Sequence, residues 1–246
     1  MQQQIQKTSV NLDGLLEVLG KNLYSSASVA IRELIQNAHD ACERYSIESD
    51  AKEFEIRMQM NQSENTLTIT DNGSGLTRQE VIDYLATIGS GYTRVLRNKS
   101  NSESMIGYFG LGFLSAYVVS NKVEVWTSSY QEPKQSWYFT SIGGKTFTLS
   151  EGATHPVGTT VKLHLKEEFK HLAIESVLEK LISQYCCLLP IPIYLSHSQS
   201  PVNELSKPWA NNDQVSPIML RKQRLKFAAV FENQFEPIAC LPIPED

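Results

Sequence analysis

The chain has 246 residues, with 22 Lys and Arg against 27 Asp and Glu, a formal net charge of −5 and 41% hydrophobic residues. That composition supplies a substantial core and excludes a disordered or collagen-like chain, and the acidic balance argues against bulk binding of nucleic-acid phosphates. Cys42, Cys186, Cys187 and Cys240 form neither a C-x-x-C pair nor a zinc spacing with histidine, and the N-terminus lacks a signal-peptide core, so a soluble cytoplasmic protein without nucleic-acid or membrane partners is expected.

Leucines 12, 15, 16, 19 and 23 recur at helical spacing and predict a first amphipathic helix. A second is predicted after Ser25-Ser26, with Ser28 as its cap, running to about Tyr45. Phe54, Ile56, Met58 and Met60 alternate with polar residues, as do Leu67 and Ile69, which gives two strands around an Asn61–Asn65 turn. Thr77-Arg78-Gln79-Glu80 has capping-box form and opens a short helix through Val81, Ile82, Leu85 and Ile88. Residues 89–104 are polar and aperiodic, as in a loop. A helix is predicted over Phe113–Val119, then strands over Val123–Thr127, Trp137–Ile142, Thr146–Leu149 and Thr159–Leu165. A helix from Ile174 to Tyr185 and a strand from Ile191 to Leu195 follow.

Helices mixed with hairpin-linked strands, without strict alternation, point to an α+β two-layer sandwich with helices on one face of a mostly antiparallel sheet. The expected division is one unit over residues 1–198, a linker over 199–214, and the start of a second unit over 215–246, with strands at Lys226–Val230 and Glu236–Leu241.

On a wheel of ~100° per residue with Glu33 at zero, Asn37 falls near 40° and Asp40 near −20°, whereas Ile31, Leu34, Ile35, Ala38, Cys42 and Tyr45 cluster at about 100–200°. Such a polar face serves as a solvated surface or as chemistry. An amide one turn from an acid can ligate Mg²⁺ without added charge beside phosphates, and Glu can deprotonate an attacking water. Asp71-Asn72-Gly73-Ser74-Gly75 follows a strand: it is an ordinary turn, or it presents Asp71 as an acceptor for an adenine amine, which a guanine carbonyl would repel. Gly107-Tyr108-Phe109-Gly110-Leu111-Gly112 leads into a helix and can expose successive N–H groups to an anion, or make a tight join. It is not a dinucleotide fingerprint, and Gly144-Lys145-Thr146 lacks the first glycine of a phosphate-binding P-loop because Phe139 stands there. Gly158-Thr159-Thr160 opens a strand whose hydroxyls could complete a base pocket. The five histidines are scattered and suggest no nucleophilic triad.

Taken in order, the Glu33…Asn37…Asp40 helix, the Asp71-x-Gly73-x-Gly75 turn, the Gly107/Gly110/Gly112 loop and Gly158-Thr159 resemble the GHKL ATPase superfamily, which has the Bergerat fold. That group comprises the heat-shock protein 90 chaperones, DNA gyrase, mismatch-repair ATPases and histidine kinases. The stretches 31–38 and 104–117, with Thr87-Ile88, are similar to the chaperone branch, and the likeness covers about residues 8–195.

The resemblance implies that Glu33 is the general base, Asn37 the Mg²⁺ ligand and Asp71 the adenine acceptor, with Asp40, Gly75, Leu76 and Thr159 in the nucleotide site. It further implies that Gly107, Phe109, Gly110, Leu111, Gly112 and Phe113 hold phosphates, and that Ser90 lies in a lid. ATP, ADP and Mg²⁺ are the implied ligands. Client binding, a catalytic arginine and homodimerisation are implied for regions beyond this chain, itself a monomer. His39, the Asp83-Tyr84 pair, Leu76 and the lid start at residues 89–94 depart from the family pattern. The alternatives are a non-catalytic ATP-dependent sensor and a DNA-acting relative of the gyrase or mismatch-repair type.

Overall fold

The computed structural model describes residue 14 and residues 27–51, 53–87, 112–203, 216–231 and 236–240. The helix predicted over 12–23, the loop over 89–104 and Ile88 therefore lie outside the described residues, save Gly14.

Helix α1 spans Ala27–Glu48, three residues beyond the expected end, and Ser28 is its second residue rather than its cap. Ile31, Leu34, Ile35, Ala38 and Cys42 are buried along one stripe, as the 3.6-residue period requires. Strands β1 (Ile56–Asn61) and β2 (Thr66–Asp71) form an antiparallel hairpin, with Asn65 at φ 51 in its turn, a backbone conformation that asparagine tolerates. Helix α2 spans Arg78–Leu85. The capping box is present: Glu80 N–H donates to Thr77 Oγ1 at 3.3 Å, and Thr77 N–H donates to Glu80 Oε2 at 2.8 Å.

A 3₁₀ turn over Gly112–Leu114 leads into the short helix α3, Ser115–Val119, so the expected helix begins in the tighter form. Strands β3 (Ser120–Ser128), β4 (Trp137–Ile142), β5 (Thr146–Glu151) and β6 (Gly158–Leu165) follow, with Gly143 and Gly144 at positive φ in the β4–β5 turn. A 3₁₀ segment, Glu167–Ala173, precedes α4 (Glu175–Tyr185) and β7 (Ile193–Leu195). The sheet has seven strands in the order β5-β4-β3-β6-β2-β1-β7, and β1–β7 is its parallel pair.

Ile56, Met58, Leu67, Ile69, Val123, Val125, Phe139, Leu163 and Leu165 face the helices and share one core with α1 and α4. The opposite face carries Gln59, Thr68, Lys162 and Glu124 in register. This is the expected two-layer α+β sandwich. On the open face Glu124 meets Tyr138, His164 and Lys122. Burial raises its pKa, but those three partners outweigh burial and hold it down at about 2.

The strand expected over Lys226–Val230 lies instead within helix α5, Pro217–Phe231. Ser216-Pro217 is the overlooked start signal: Met219 N–H donates to Ser216 Oγ at 3.4 Å, and proline is tolerated at the first helical position. Residues 236–240 form no strand. Asn203, in the segment expected as linker, is buried; it accepts from Ile193 N–H at 2.8 Å and donates to the Leu189 and Ile191 carbonyls at 2.8 and 2.9 Å. The packed unit therefore extends at least to Asn203. No helix among the described residues is long and apolar enough to cross a membrane.

Glu80 serves two structures at once, because its other oxygen sits 2.7 Å from Nη1 of Arg44, a buried arginine of α1 that also meets Glu48 at 3.1 Å. Thr77→Ala should cost about 1 kcal/mol, the usual value of a cap. Glu80→Ala should cost more, about 3 kcal/mol, because it also strips a buried cation of one carboxylate. Urea unfolding of the two variants checks the order.

Candidate functional site

The site begins on α1. Glu33 is partly exposed and Asn37 exposed, on the side of the helix away from its buried stripe. Asp40, one turn on, is buried against His39, whose Nδ1 lies 3.3 Å from its Oδ1. The polar face is thus graded, open at Glu33 and Asn37 and closed at Asp40. Nη2 of Arg32 lies 3.3 Å from Oε1 of Glu33 and leaves Oε2 for other contacts.

Gly112 comes directly against this face. A β-carbon added there would lie 3.2 Å from Glu33 Oε2 and 3.5 Å from both amide atoms of Asn37. Lacking a side chain, Gly112 lets the start of the 3₁₀ turn approach the acid and the amide together, and it leaves a cradle that any larger residue would fill. Ser115 ties the turn down by donating to the Gly112 carbonyl. The Phe113 ring packs edge-on against Tyr117 and Phe139, at centroid distances of 5.9 and 6.3 Å, so only its backbone is free to serve a ligand. Ser90, Gly107, Phe109, Gly110 and Leu111 lie outside the described residues.

The second part of the site is the turn after β2. Ser74 N–H donates to the Ala41 carbonyl of α1 at 2.9 Å, and a β-carbon on Gly73 would lie 2.5 Å from the Ala41 backbone, so glycine is the residue that permits this junction. Gly75 has φ +59, with the Ser128 carbonyl where a β-carbon would go. Asp71 is buried, and its Oδ1 accepts from Gly73 N–H at 2.9 Å. Burial pushes its pKa up to about 7, against the lowering effect of the N–H groups of Gly73 and Thr159. Thr159 is Asp71's register partner on β6 and shares its face of the sheet. The Leu76 side chain packs on the core while its N–H donates to Thr127 Oγ1 at 2.9 Å.

Expected residues thus gather in two clusters joined by α1: Glu33, Asn37 and Gly112 at one, Asp71, Gly75, Leu76 and Thr159 at the other. Arg32, Ser115 and Thr127 belong to these clusters and were not anticipated. Arg32 neighbours Glu33 in sequence, and adjacent residues on a helix do not face each other, so the pairing depends on the reach of a long side chain. Thr127 is one more inward residue of an alternating strand; its signal would have been its register with Thr159, which a single sequence does not display. No group of three or more His, Cys, Asp or Glu among the described residues could hold a metal ion by itself.

Residues 24–155 match the family described as histidine kinase-, DNA gyrase B-, and HSP90-like ATPase. Over 191 residues the chain is 35% identical to a chaperone protein htpG of Bacteroides fragilis, an alignment covering 75% of this chain and 28% of the relative. It is 34% identical over 208 residues to a chaperone protein HtpG of Roseobacter denitrificans, covering 79% and 33% of the two chains. To the mitochondrial heat shock protein 75 kDa of Rattus norvegicus it is 32% identical over 205 residues, covering 79% and 29%. The chain spans about a third of the length of the curated relatives it matches.

Asp71 sets a pH dependence for the ligand-free chain. Its folded-state pKa, about 7, lies above the ordinary 3.8, so between these values the folded chain retains a proton that the unfolded chain has released. Stability should therefore fall as pH rises from about 4 to 7, by at most about 4 kcal/mol from this group. Asp71→Asn should flatten that segment of the stability profile, measured by urea unfolding at successive pH values.

Proposed function

The chain belongs to the histidine kinase-, DNA gyrase B- and HSP90-like ATPase family, and from that premise we propose that it is the ATP-binding, slowly hydrolysing domain of a heat-shock protein 90-type molecular chaperone. The observation that carries the reading is Gly112, the last residue of the glycine-rich sequence 107–112, lying against an acid and an amide on one helix, Glu33 and Asn37. In this reading phosphates lie in that cradle, near backbone N–H groups at the start of the 3₁₀ turn. The base lies at the other cluster, where Asp71 in its ionised form accepts from an exocyclic amine.

Glu33 orients a water for attack on the terminal phosphoryl group and takes its proton. Arg32 holds one carboxylate oxygen and so fixes the direction of the other. Asn37, assisted by the nucleotide's own phosphates, would hold Mg²⁺; a neutral amide in an open cradle suits a cation whose other ligands are phosphate and water oxygens. Bound there, Mg²⁺ neutralises charge on the phosphates. Asp40 and Thr159 complete the adenine end, and the predicted residues Ser90, Gly107, Phe109, Gly110 and Leu111 the phosphate and lid end.

We also propose a cytoplasmic setting, supported by four free cysteines. The nucleotide-binding unit would run through Asn203, with a linker from there to 214 and a second unit from 215. Client binding and homodimerisation are assigned to the parts of such chaperones that this chain does not match. A DNA-acting role is disfavoured by the net charge of −5.

Titration calorimetry should detect ATP and ADP binding in the presence of Mg²⁺, and no heat at millimolar nucleotide would refute the reading. Glu33→Ala should retain binding while its hydrolysis falls about a hundredfold or more. Asp71→Asn should lose binding, because its amide can turn an N–H towards the base amine.

A further inference from the structure

Three strands end in one row on the helix-facing side of the sheet. Asp71 of β2 stands opposite Thr159 of β6, and Thr159 stands opposite Thr127 of β3. Thr127 is fully buried, whereas Thr159 is only partly buried. The Thr127 hydroxyl has three polar neighbours: Leu76 N–H at 2.9 Å, the Gly158 carbonyl at 3.0 Å and Thr159 Oγ1 at 3.0 Å.

A hydroxyl has one hydrogen to give and two lone pairs to receive. Leu76 N–H can only donate and the Gly158 carbonyl can only accept. One arrangement therefore satisfies all three contacts: Thr127 gives its hydrogen to Gly158 and receives from both Leu76 and Thr159. The reverse, with Thr127 donating to Thr159, sets two buried oxygens 3.0 Å apart with no hydrogen between them. In the satisfied arrangement the only hydrogen of Thr159 is turned inward, and lone pairs alone remain for a ligand.

We propose that Thr127 is a positioning residue for base selection: it fixes Thr159 as a pure acceptor beside the acceptor Asp71, so that the pocket takes a purine bearing an exocyclic amine and rejects one bearing a carbonyl there. An amine offers two hydrogens to two acceptors, while a carbonyl meets them with lone pairs. Gly158 makes the row possible, since its φ of +129 and the Asp71 carbonyl 2.2 Å from where a β-carbon would sit allow only glycine at the point where β6 joins β2. The inference rests on the ATP reading above.

The test is calorimetry with ATP and with inosine triphosphate, which carries a carbonyl in place of the amine and a hydrogen on N1, where adenine has a lone pair. The wild-type chain should prefer ATP. Thr127→Val frees the Thr159 hydrogen to meet a carbonyl, and the preference should shrink about tenfold, the worth of one hydrogen bond. Thr127→Ser keeps the hydroxyl and should keep the preference, which a role in packing the methyl group would not predict. If thermal melting shows that Thr127→Val does not fold, Thr159→Val removes the acceptor without touching the Leu76 and Gly158 contacts, and should shrink the preference likewise. An unchanged ratio in the folded Thr127→Val variant (or in Thr159→Val, where that variant carries the test), or an equal loss in Thr127→Ser, overturns the proposal while leaving ATP binding intact. Absence of ATP binding by the wild type overturns the nucleotide reading and this inference with it.

Discussion

A carboxylate buried at the end of a strand must be surrounded by donors, and much of this molecule is arranged around meeting that demand at Asp71. Its N–H partners come from Gly73, two residues on, and from Thr159 on the neighbouring strand. Each partner depends on a close backbone approach. Gly73 lies against Ala41 of α1, Gly75 against Ser128 of β3, and Gly158 against Asp71 itself. A side chain at any of these positions would push apart the elements that supply the donors. The two N–H groups only partly offset burial, as the raised pKa records. The carboxyl is left able to gain from one further donor, as the proposed base contact would supply.

Helix α1 carries both halves of the arrangement. Its buried stripe packs on the sheet, its exposed turn bears Glu33 and Asn37, and its carbonyl at Ala41 receives the turn after β2. Arg44 then binds its last turns to α2 through Glu80, the same residue that caps α2. A small rotation of α1 would disturb the acid–amide cradle, the Asp71 turn and the start of α2 together. Rigid coupling of this kind keeps two clusters in fixed relation without any direct bond between them.

Much of this was legible in the residues. The 3.6-residue stripe of α1 and the period-two alternation of β1, β2, β3 and β6 follow from simple packing, and the capping box at Thr77 is a local motif with a local consequence. Glu33 and Asn37 could be placed on one face because helical spacing alone determines it. Thr127 could not be singled out, since its importance lies in which residue of another strand it faces, and register is a property of the assembled sheet. The strand expected at Lys226–Val230 failed for a different reason: a short apolar run suits helix or strand equally, and Ser216-Pro217, ten residues earlier, decides it. Asn203 was hidden because a polar residue in a turn-rich stretch reads as solvated, although here its amide closes three buried backbone groups.

The two clusters differ in how tightly geometry constrains them. Glu33 is partly exposed and Asn37 exposed, and among the described residues the absence of a side chain at Gly112 shapes the space beside them, so the cradle suits ligands that bring their own charge and coordination, as phosphates with a cation do. At Asp71, Thr159 and Thr127 the groups are in fixed register, largely buried, and bonded through a buried hydroxyl, so small changes in a ligand's donor pattern meet an unyielding partner. In the nucleotide reading proposed above, the open end would supply affinity for a charged tail and the closed end discrimination, a division that follows from where α1 leaves the core and where β6 begins.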